Sequence, residues 1–296
     1  MRRTAFAPAK INLFLHVGAP APDGFHPIAS LMAFADVGDR VTLDTEGSGA
    51  FAVEGPFAGE LGTTAPADNL VLRAARALEA QAGVAAPPFD LTLTKALPIA
   101  SGLGGGSSDA GATLRVLRDT LLPVPDTVLE AAAAATGSDG PPCLWGRPVI
   151  SEGRGERLSA SPAFPPLPAV LVNPRVACPT GAVYRAFDAF AEPGRPADRP
   201  LLPDAFPTVA QTTAFMAACR NDLENPAIGL VPVIGRVLDR LRAEPGVLMA
   251  RLSGSGATCF AILGTDGEAK AFAGALATEH PGWWIEPCRI GGPWPD

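Results

Sequence analysis

Residues 97–110, Leu-Pro-Ile-Ala-Ser-Gly-Leu-Gly-Gly-Gly-Ser-Ser-Asp-Ala, constrain this chain more than any other stretch. They lie between a strand pattern, Phe89 to Lys95, and a helix pattern from about Ser108 to Leu121. Gly102, Gly104, Gly105 and Gly106 remove Cβ atoms where backbone approaches a ligand or takes unusual φ/ψ. Ser107 and Ser108 then bring hydroxyls and N–H groups to a helix N-terminus, where free amides and the dipole favour an anion. Phosphate is the expected guest; a plain glycine loop with Ser108 as N-cap is the alternative. Neither of the commoner phosphate loops fits. A Walker A loop needs a Gly-Lys pair, and none occurs in the chain; the dinucleotide pattern G-x-G-x-x-G fails because Gly102-Leu103-Gly104 runs on to Gly105, Gly106 and Ser107.

The rest of the chain narrows the partners. A net charge of −7 and the absence of any Lys/Arg run exclude nucleic acid or an anionic membrane as the general partner. A single nucleotide is still compatible, since backbone amides hold phosphates without net positive charge. No apolar run approaches the roughly 18 residues of a membrane span, and Met1–Ala5 is not followed by the apolar run of a signal peptide. Cys143, Cys178, Cys219, Cys259 and Cys288 are odd in number and lack CxxC spacing, which is the usage of a reducing cytoplasm without a zinc site. Only three of the 23 basic residues are lysines, Lys10, Lys95 and Lys270. Where Arg serves elsewhere, a retained Lys points to a site that needs a compact ammonium, as at Lys10 and Lys95, whereas Lys270 in a helical stretch reads as plain surface.

Periodicity predicts an α+β chain. Strands are expected at Phe6 to Val17, Arg40 to Asp44 and Phe89 to Lys95, with a helix after Asp68-Asn69 and another from Asp126 to Thr136. A proline-rich connector, Ser161 to Pro168, precedes a strand at Ala169 to Val172 and helices near 180–190, 208–219 and 227–243. Strands at 247–252 and 258–263, a helix at 266–278 and a strand at 283–289 complete a ferredoxin-like order. Two domains follow, 1–158 and 159–296, with Pro193 to Pro207 as a surface loop.

The glycine loop matches the P-x-x-x-G-L-G-S/G-S-S/G loop of the GHMP kinases. Two further segments agree in order: Ala7-Pro8-Ala9-Lys10-Ile11-Asn12-Leu13 resembles the first motif of that superfamily, and Leu252-Ser253-Gly254-Ser255-Gly256-Ala257-Thr258-Cys259-Phe260 its third. Asp23-Gly24-Phe25-His26, Arg220-Asn221-Asp222-Leu223-Glu224, Gly137-Ser138-Asp139-Gly140-Pro141-Pro142 and Cys178-Pro179-Thr180 with Tyr184 resemble the 4-diphosphocytidyl-2-C-methyl-D-erythritol kinases within it. The chain departs from the G-A-D-V-P-F segment of that family at Gly140 and Pro142.

The resemblance implies an N-terminal domain like ribosomal protein S5 domain 2, a C-terminal ferredoxin-like domain, and ATP with Mg2+ in the cleft between them. It implies Asp139 as general base and Lys10 as its cationic partner, with ATP phosphates on Pro98, Ile99, Ala100, Ser101, Gly102, Leu103, Gly104, Gly105, Gly106, Ser107 and Ser108. Ser253, Gly254, Ser255 and Gly256 would form the turn that approaches the phosphates. A cytosine ring would lie between Phe25 and Tyr184 with His26 at its edge, and Asn12 and Thr180 would bond the acceptor. Asn69 and Lys95 are adenosine-side candidates, although Asn69 serves equally as an N-cap and Lys95 as a strand-end charge. The expected acceptor is a small cytidylyl-linked alcohol. The metal's protein ligands and the oligomeric state carry no signature.

Overall fold

A computed structural model describes residues 1–61 and 68–295. The chain opens with two long antiparallel strands, β1 (Arg2–Val17) and β2 (Ile28–Asp44), paired from Arg2↔Asp44 to Val17↔Ile28. The register slips between Pro8 and Lys10 and again between Asn12 and Phe14. Pro8 has no N–H to give the ladder, so a bulge beside it costs little. The two irregularities bracket Lys10 and Asn12, and re-aim the stretch that carries them.

Then follow β3 (Phe51–Glu54), a 3-10 turn at Ala58–Leu61, α1 (Leu70–Ala82), β4 (Asp90–Thr94), α2 (Gly105–Thr120), α3 (Asp126–Ala134), α4 (Gly140–Trp145), β5 (Val149–Gly153) and β6 (Arg157–Ala160). The second half runs β7 (Leu167–Asn173), α5 (Thr180–Asp188), α6 (Val209–Ala218), α7 (Glu224–Leu230), α8 (Val233–Arg242), β8 (Val247–Leu252), β9 (Cys259–Leu263), α9 (Asp266–Glu279) and β10 (Trp284–Gly291). Its strands lie in the order β10-β7-β9-β8, all antiparallel, which is the expected ferredoxin-like arrangement. The fold is α+β. At its far edge β10 pairs with β2 through Ile290↔Ala35 and Gly291↔Phe34, so one hydrogen-bonded sheet runs through both halves. A division at residue 158 falls inside β6, which pairs with β5 and so belongs with the first half.

Several elements differ from the sequence reading. β2 is longer than the expected Arg40 to Asp44 because residues 29–35 are buried on both faces and show no alternation. The helix expected over 227–243 is two helices, because Pro232 interrupts the N–H ladder between α7 and α8. α2 begins at Gly105, three residues before Ser108, so the last glycines of the loop are the helix's first turn.

An apolar core joins the halves where the site lies. Ile11 and Leu13 of β1, Leu97 and Leu103 of the glycine loop, and Leu167, Phe260 and Ile262 of the second half share it. Leu103 is completely buried there, an anchorage of roughly 1.5–3 kcal/mol for a side chain of this size.

Candidate active site

A cleft of about 830 Å3 opens between the glycine loop, β1, the start of α4 and the start of α5. The loop's conformation explains its composition. Ala100 (φ 50°), Gly102 (φ 79°) and Gly104 (φ 62°) are left-handed, and Ser101 and Leu103 between them are not. Residues that alternate in hand turn successive N–H groups to one side and make a concave anion site. α2 continues it, because Gly105, Gly106 and Ser107 occupy its first turn, where the helix offers no acceptor for their N–H groups. Pro98, Ile99, Ala100, Ser101, Gly102, Gly104, Gly105, Gly106 and Ser107 line the cleft. Leu103 and Ser108 do not. Leu103 is a core anchor whose carbonyl accepts the Lys10 backbone N–H at 2.7 Å, and Ser108 is buried within α2.

The third glycine segment braces this loop. Ser253 Oγ donates to the Gly102 carbonyl at 3.0 Å, and the Thr258 N–H donates to the Ser101 carbonyl at 3.0 Å. Gly254 and Ser255 reach the cleft, while Ser253 and Gly256 pack behind it against Gly102. Asn221 holds the turn from outside, its Nδ2 donating to the carbonyls of Leu252 (2.9 Å) and Gly254 (2.7 Å). The Asn-Asp-Leu-Glu segment is therefore a brace, with Asp222 and Glu224 accepting the Val17 and Leu252 N–H groups.

Lys10 and Asp139 meet at the cleft floor. Lys10 is 5% exposed, and its Nζ lies 3.5 Å from Asp139 Oδ2. The same ammonium donates to Asn12 Oδ1 at 2.8 Å; Asn12 Nδ2 donates to Ser30 Oγ at 2.8 Å, and Ser30 Oγ to the Phe14 carbonyl at 2.6 Å. This chain of bonds fixes the amide orientation of Asn12. Asp139 stands at the N-cap of α4. The departures at Gly140 and Pro142 have a local reason. A Cβ on Gly140 would collide with the Ala133 carbonyl oxygen, and prolines are tolerated in a helix's first turn, where N–H groups lack partners. Burial, with Asp139's charge added, pushes the Cys143 thiol and the Tyr184 hydroxyl each up to about 12. Asp139's field therefore reaches across the cleft to α5.

The other residues expected on the acceptor side come from α5 and the turn after β1, and they line the cleft. Thr180 Oγ1 and Ser255 Oγ are hydrogen-bonded at 2.8 Å, which ties α5 to the third segment. His26 is gripped by one face of α5: its ring is 4.8 Å from Tyr184 and 5.9 Å, edge-on, from Phe187, and its Nε2 is 2.6 Å from Asp188 Oδ1. Nδ1 is left as its polar edge. Phe25 is 56% exposed, with the Arg154 guanidinium 4.5 Å over its ring and Arg154 itself paired with Asp23. Phe25, His26 and Tyr184 thus share the cleft, but Tyr184 already leans on His26.

The adenosine-side candidates are also in the cleft. Asn69 caps α1, its Oδ1 accepting the Val71 N–H at 2.9 Å. Lys95 is neither exposed nor free: its ammonium is held by Asp39 and, at 2.9 Å, by Asp109. Asp39, Asp109, Ser30, Asp188 and Arg154 were not singled out by sequence reasoning. Asp188 is four residues after Tyr184, a helical spacing that could have drawn it in, and Asp109 follows directly on the loop's serines. Asp39 and Ser30 sit in a strand without a motif. Among the described residues, no group of three or more His, Cys, Asp or Glu side chains could hold a metal, and no helix is long and apolar enough to cross a membrane.

A glycine cradle of alternating hand, braced by a second glycine turn and facing a Lys–Asp pair, defines a GHMP kinase. Family models described as GHMP kinases N terminal domain and GHMP kinases C terminal match residues 69–147 and 211–282. A 4-diphosphocytidyl-2-C-methyl-D-erythritol kinase from Caulobacter sp. (strain K31) is 55% identical over 297 residues, covering 99% of this chain and 100% of its own. The crystal structure of a 4-(cytidine 5'-diphospho)-2C-methyl-D-erythritol kinase superposes with a TM-score of 0.76 at 33% identity, covering 99% of this chain and 100% of that one. A homoserine kinase from Cytophaga hutchinsonii, 18% identical with a TM-score of 0.68 over 98% of this chain and 94% of its own, shares the fold alone. The chain belongs to the 4-diphosphocytidyl-2-C-methyl-D-erythritol kinase family.

Proposed function

We propose that this enzyme transfers the γ-phosphoryl group of ATP to the 2-hydroxyl of 4-diphosphocytidyl-2-C-methyl-D-erythritol, a step in the making of isoprenoid precursors. The observation that carries the reading is the Lys10–Asp139 pair facing the alternating-hand loop, 3.5 Å between ammonium and carboxylate. Asp139 accepts the proton of the attacking hydroxyl as its oxygen bonds to the γ-phosphorus, and the bond from that phosphorus to the β,γ-bridging oxygen breaks to release ADP. Lys10 offsets the charge that builds on the transferring group, and the loop's N–H groups hold the remaining phosphate oxygens. Asn12, oriented by Lys10 and Ser30, bonds the acceptor, as does Thr180. Phe25 and Tyr184 supply stacking faces for cytosine, and His26 Nδ1 reads its edge. Asn69 lies on the adenosine side.

ATP enters as its Mg2+ complex. A nucleotide-bound Mg2+ keeps phosphate oxygens and waters among its ligands and asks for few from the protein. Five free cysteines fit work in the cytoplasm, and the net charge of −7 fits a small-molecule partner. A division into two units is part of this proposal, with the boundary after β6 rather than at residue 158 and between the stretches that the two family models match. A coupled ADP-release assay over 4-diphosphocytidyl-2-C-methyl-D-erythritol, homoserine and mevalonate tests the substrate. Efficient ADP release with the first alone is expected; comparable turnover of an acceptor lacking cytidine would keep the kinase and discard this substrate.

A further inference from the structure

We propose that Asp39, Lys95 and Asp109 form a buried clamp that holds the glycine loop in its anion-binding shape, which makes them positioning residues for the nucleotide's phosphates. The identity of that anion rests on the kinase reading above. The loop leaves the sheet just after β4 and enters α2 at Gly105, and both of its ends are tied at one point. Asp39, from β2, accepts the N–H groups of Ala96 (2.6 Å) and Leu97 (2.9 Å) through Oδ1 and pairs with Lys95 through Oδ2. Lys95 also donates to Asp109 Oδ2 at 2.9 Å, within α2. A Cβ on Gly105 would lie 3.4 Å from Lys95 Nζ and 3.5 Å from Asp39 Oδ2, so the clamp sits directly under the helix's first residue.

All three side chains are buried. An ion triplet taken out of water is a poor source of stability, and apolar residues of similar volume often serve as well or better. What a triplet does supply is fixed geometry. The loop needs it, because Ala100 is held left-handed without being glycine, a conformation that persists only where the surroundings over-determine it. Two carboxylates share one ammonium, and Asp109 Oδ1 has no hydrogen-bond partner. Burial and the neighbouring Asp39 push the Asp109 pKa well up, as expected where a second carboxylate is buried beside the first and only one ammonium offsets them. The rival role for Lys95, direct contact with adenosine, has to contend with an ammonium already engaged by two carboxylates.

The two roles separate by which part of the nucleotide suffers. Asp109→Ala cuts the clamp at α2 and leaves Lys95 paired one-to-one with Asp39, so no bare charge is buried. Calorimetry with MgADP and inorganic tripolyphosphate, and NMR titration with adenosine, give the readouts. For Asp109→Ala we expect both phosphate ligands to weaken roughly tenfold, as loss of a charge-assisted bond in the support would cause. Adenosine affinity and the acceptor's KM should stay level. Asp109→Asn should recover most of the loss, since its amide oxygen still accepts from Lys95. Asp109→Ser, too short to reach Lys95, carries the same expectation should the alanine variant not fold. A fall in Tm with unchanged phosphate affinity, or a loss confined to adenosine, overturns the clamp while leaving the kinase reading intact. Wild-type protein that binds neither MgADP nor tripolyphosphate overturns both.

Discussion

Replacing Gly102 by alanine tests whether the cradle depends on the turn behind it. Two separate costs arise. The first is local: a left-handed alanine costs about 1–2 kcal/mol, which lowers Tm by roughly 2–4 °C per kcal/mol in a chain of this order. The second is a collision. The new Cβ would lie 2.8 Å from the Gly256 carbonyl oxygen and closer still to that of Ser253, where ordinary contact begins at 3.4 Å. Loop and turn must then part by roughly 1 Å, a misplacement that can cost about 10²-fold in rate. The Ser253–Gly102 and Thr258–Ser101 bonds, 3.0 Å each, stretch with it. Gly83 supplies the control, because it has φ 68° and nothing within 4 Å of a Cβ. Gly83→Ala should show the first cost alone, with unchanged kcat/KM. Gly102→Ala should show both, read by melting and by steady-state ADP release. If Gly102→Ala melts like Gly83→Ala and keeps kcat/KM within about threefold, the brace carries no catalytic geometry.

Other consequences are as direct. Phe25→Ala should raise the acceptor's KM roughly 10- to 100-fold and leave that of ATP level, since one stacking face is worth about 1–3 kcal/mol; an unmoved acceptor KM would remove Phe25 from the base pocket. Thiol titration of the native protein should report Cys219 first and the other four cysteines only on unfolding, because burial pushes all five thiols up but Cys219 alone is not fully buried; fast labelling of Cys143 would contradict its packing. The raised pKa of Asp109 means the folded chain holds a proton that the unfolded chain releases near the ordinary carboxylate value of 3.8. That contribution is present below the ordinary value and is lost as pH rises through the folded one. Asp109→Asn should therefore gain in Tm relative to wild type as pH rises, then level off, and a constant difference across the range would speak against a retained proton.

How far the sequence led depends on what kind of signal each feature leaves. The loop was legible because glycine at 102 and 104 is demanded by left-handed backbone and close approach, and such demands are written in residue type. Lys10 stood out because the chain spends so few lysines. β2 was read only in its last third, since a strand buried on both faces loses the alternation that marks one. α4 was missed because its Gly-Pro-Pro start reads as a turn, although a first turn tolerates proline. Lys95 was placed at a strand end correctly, but its carboxylate partners are 56 and 14 residues away, and such pairings are set by packing rather than by spacing. The grip of α5 on His26 likewise joins residues 162 apart, so only the helical spacing from Tyr184, and nothing near His26, could have pointed to Asp188.

The role proposed for Asp139, set beside Lys10 at the cradle, is to take the proton from the acceptor hydroxyl. Single-turnover transfer to 4-diphosphocytidyl-2-C-methyl-D-erythritol by Asp139→Asn, with MgADP affinity measured on the same sample, tests it most directly. Loss of the carboxylate should slow transfer roughly 10²-fold or more, as removal of a general base does, while MgADP binds as before. Transfer at close to the wild-type rate by a folded, nucleotide-binding Asp139→Asn protein would contradict the claim.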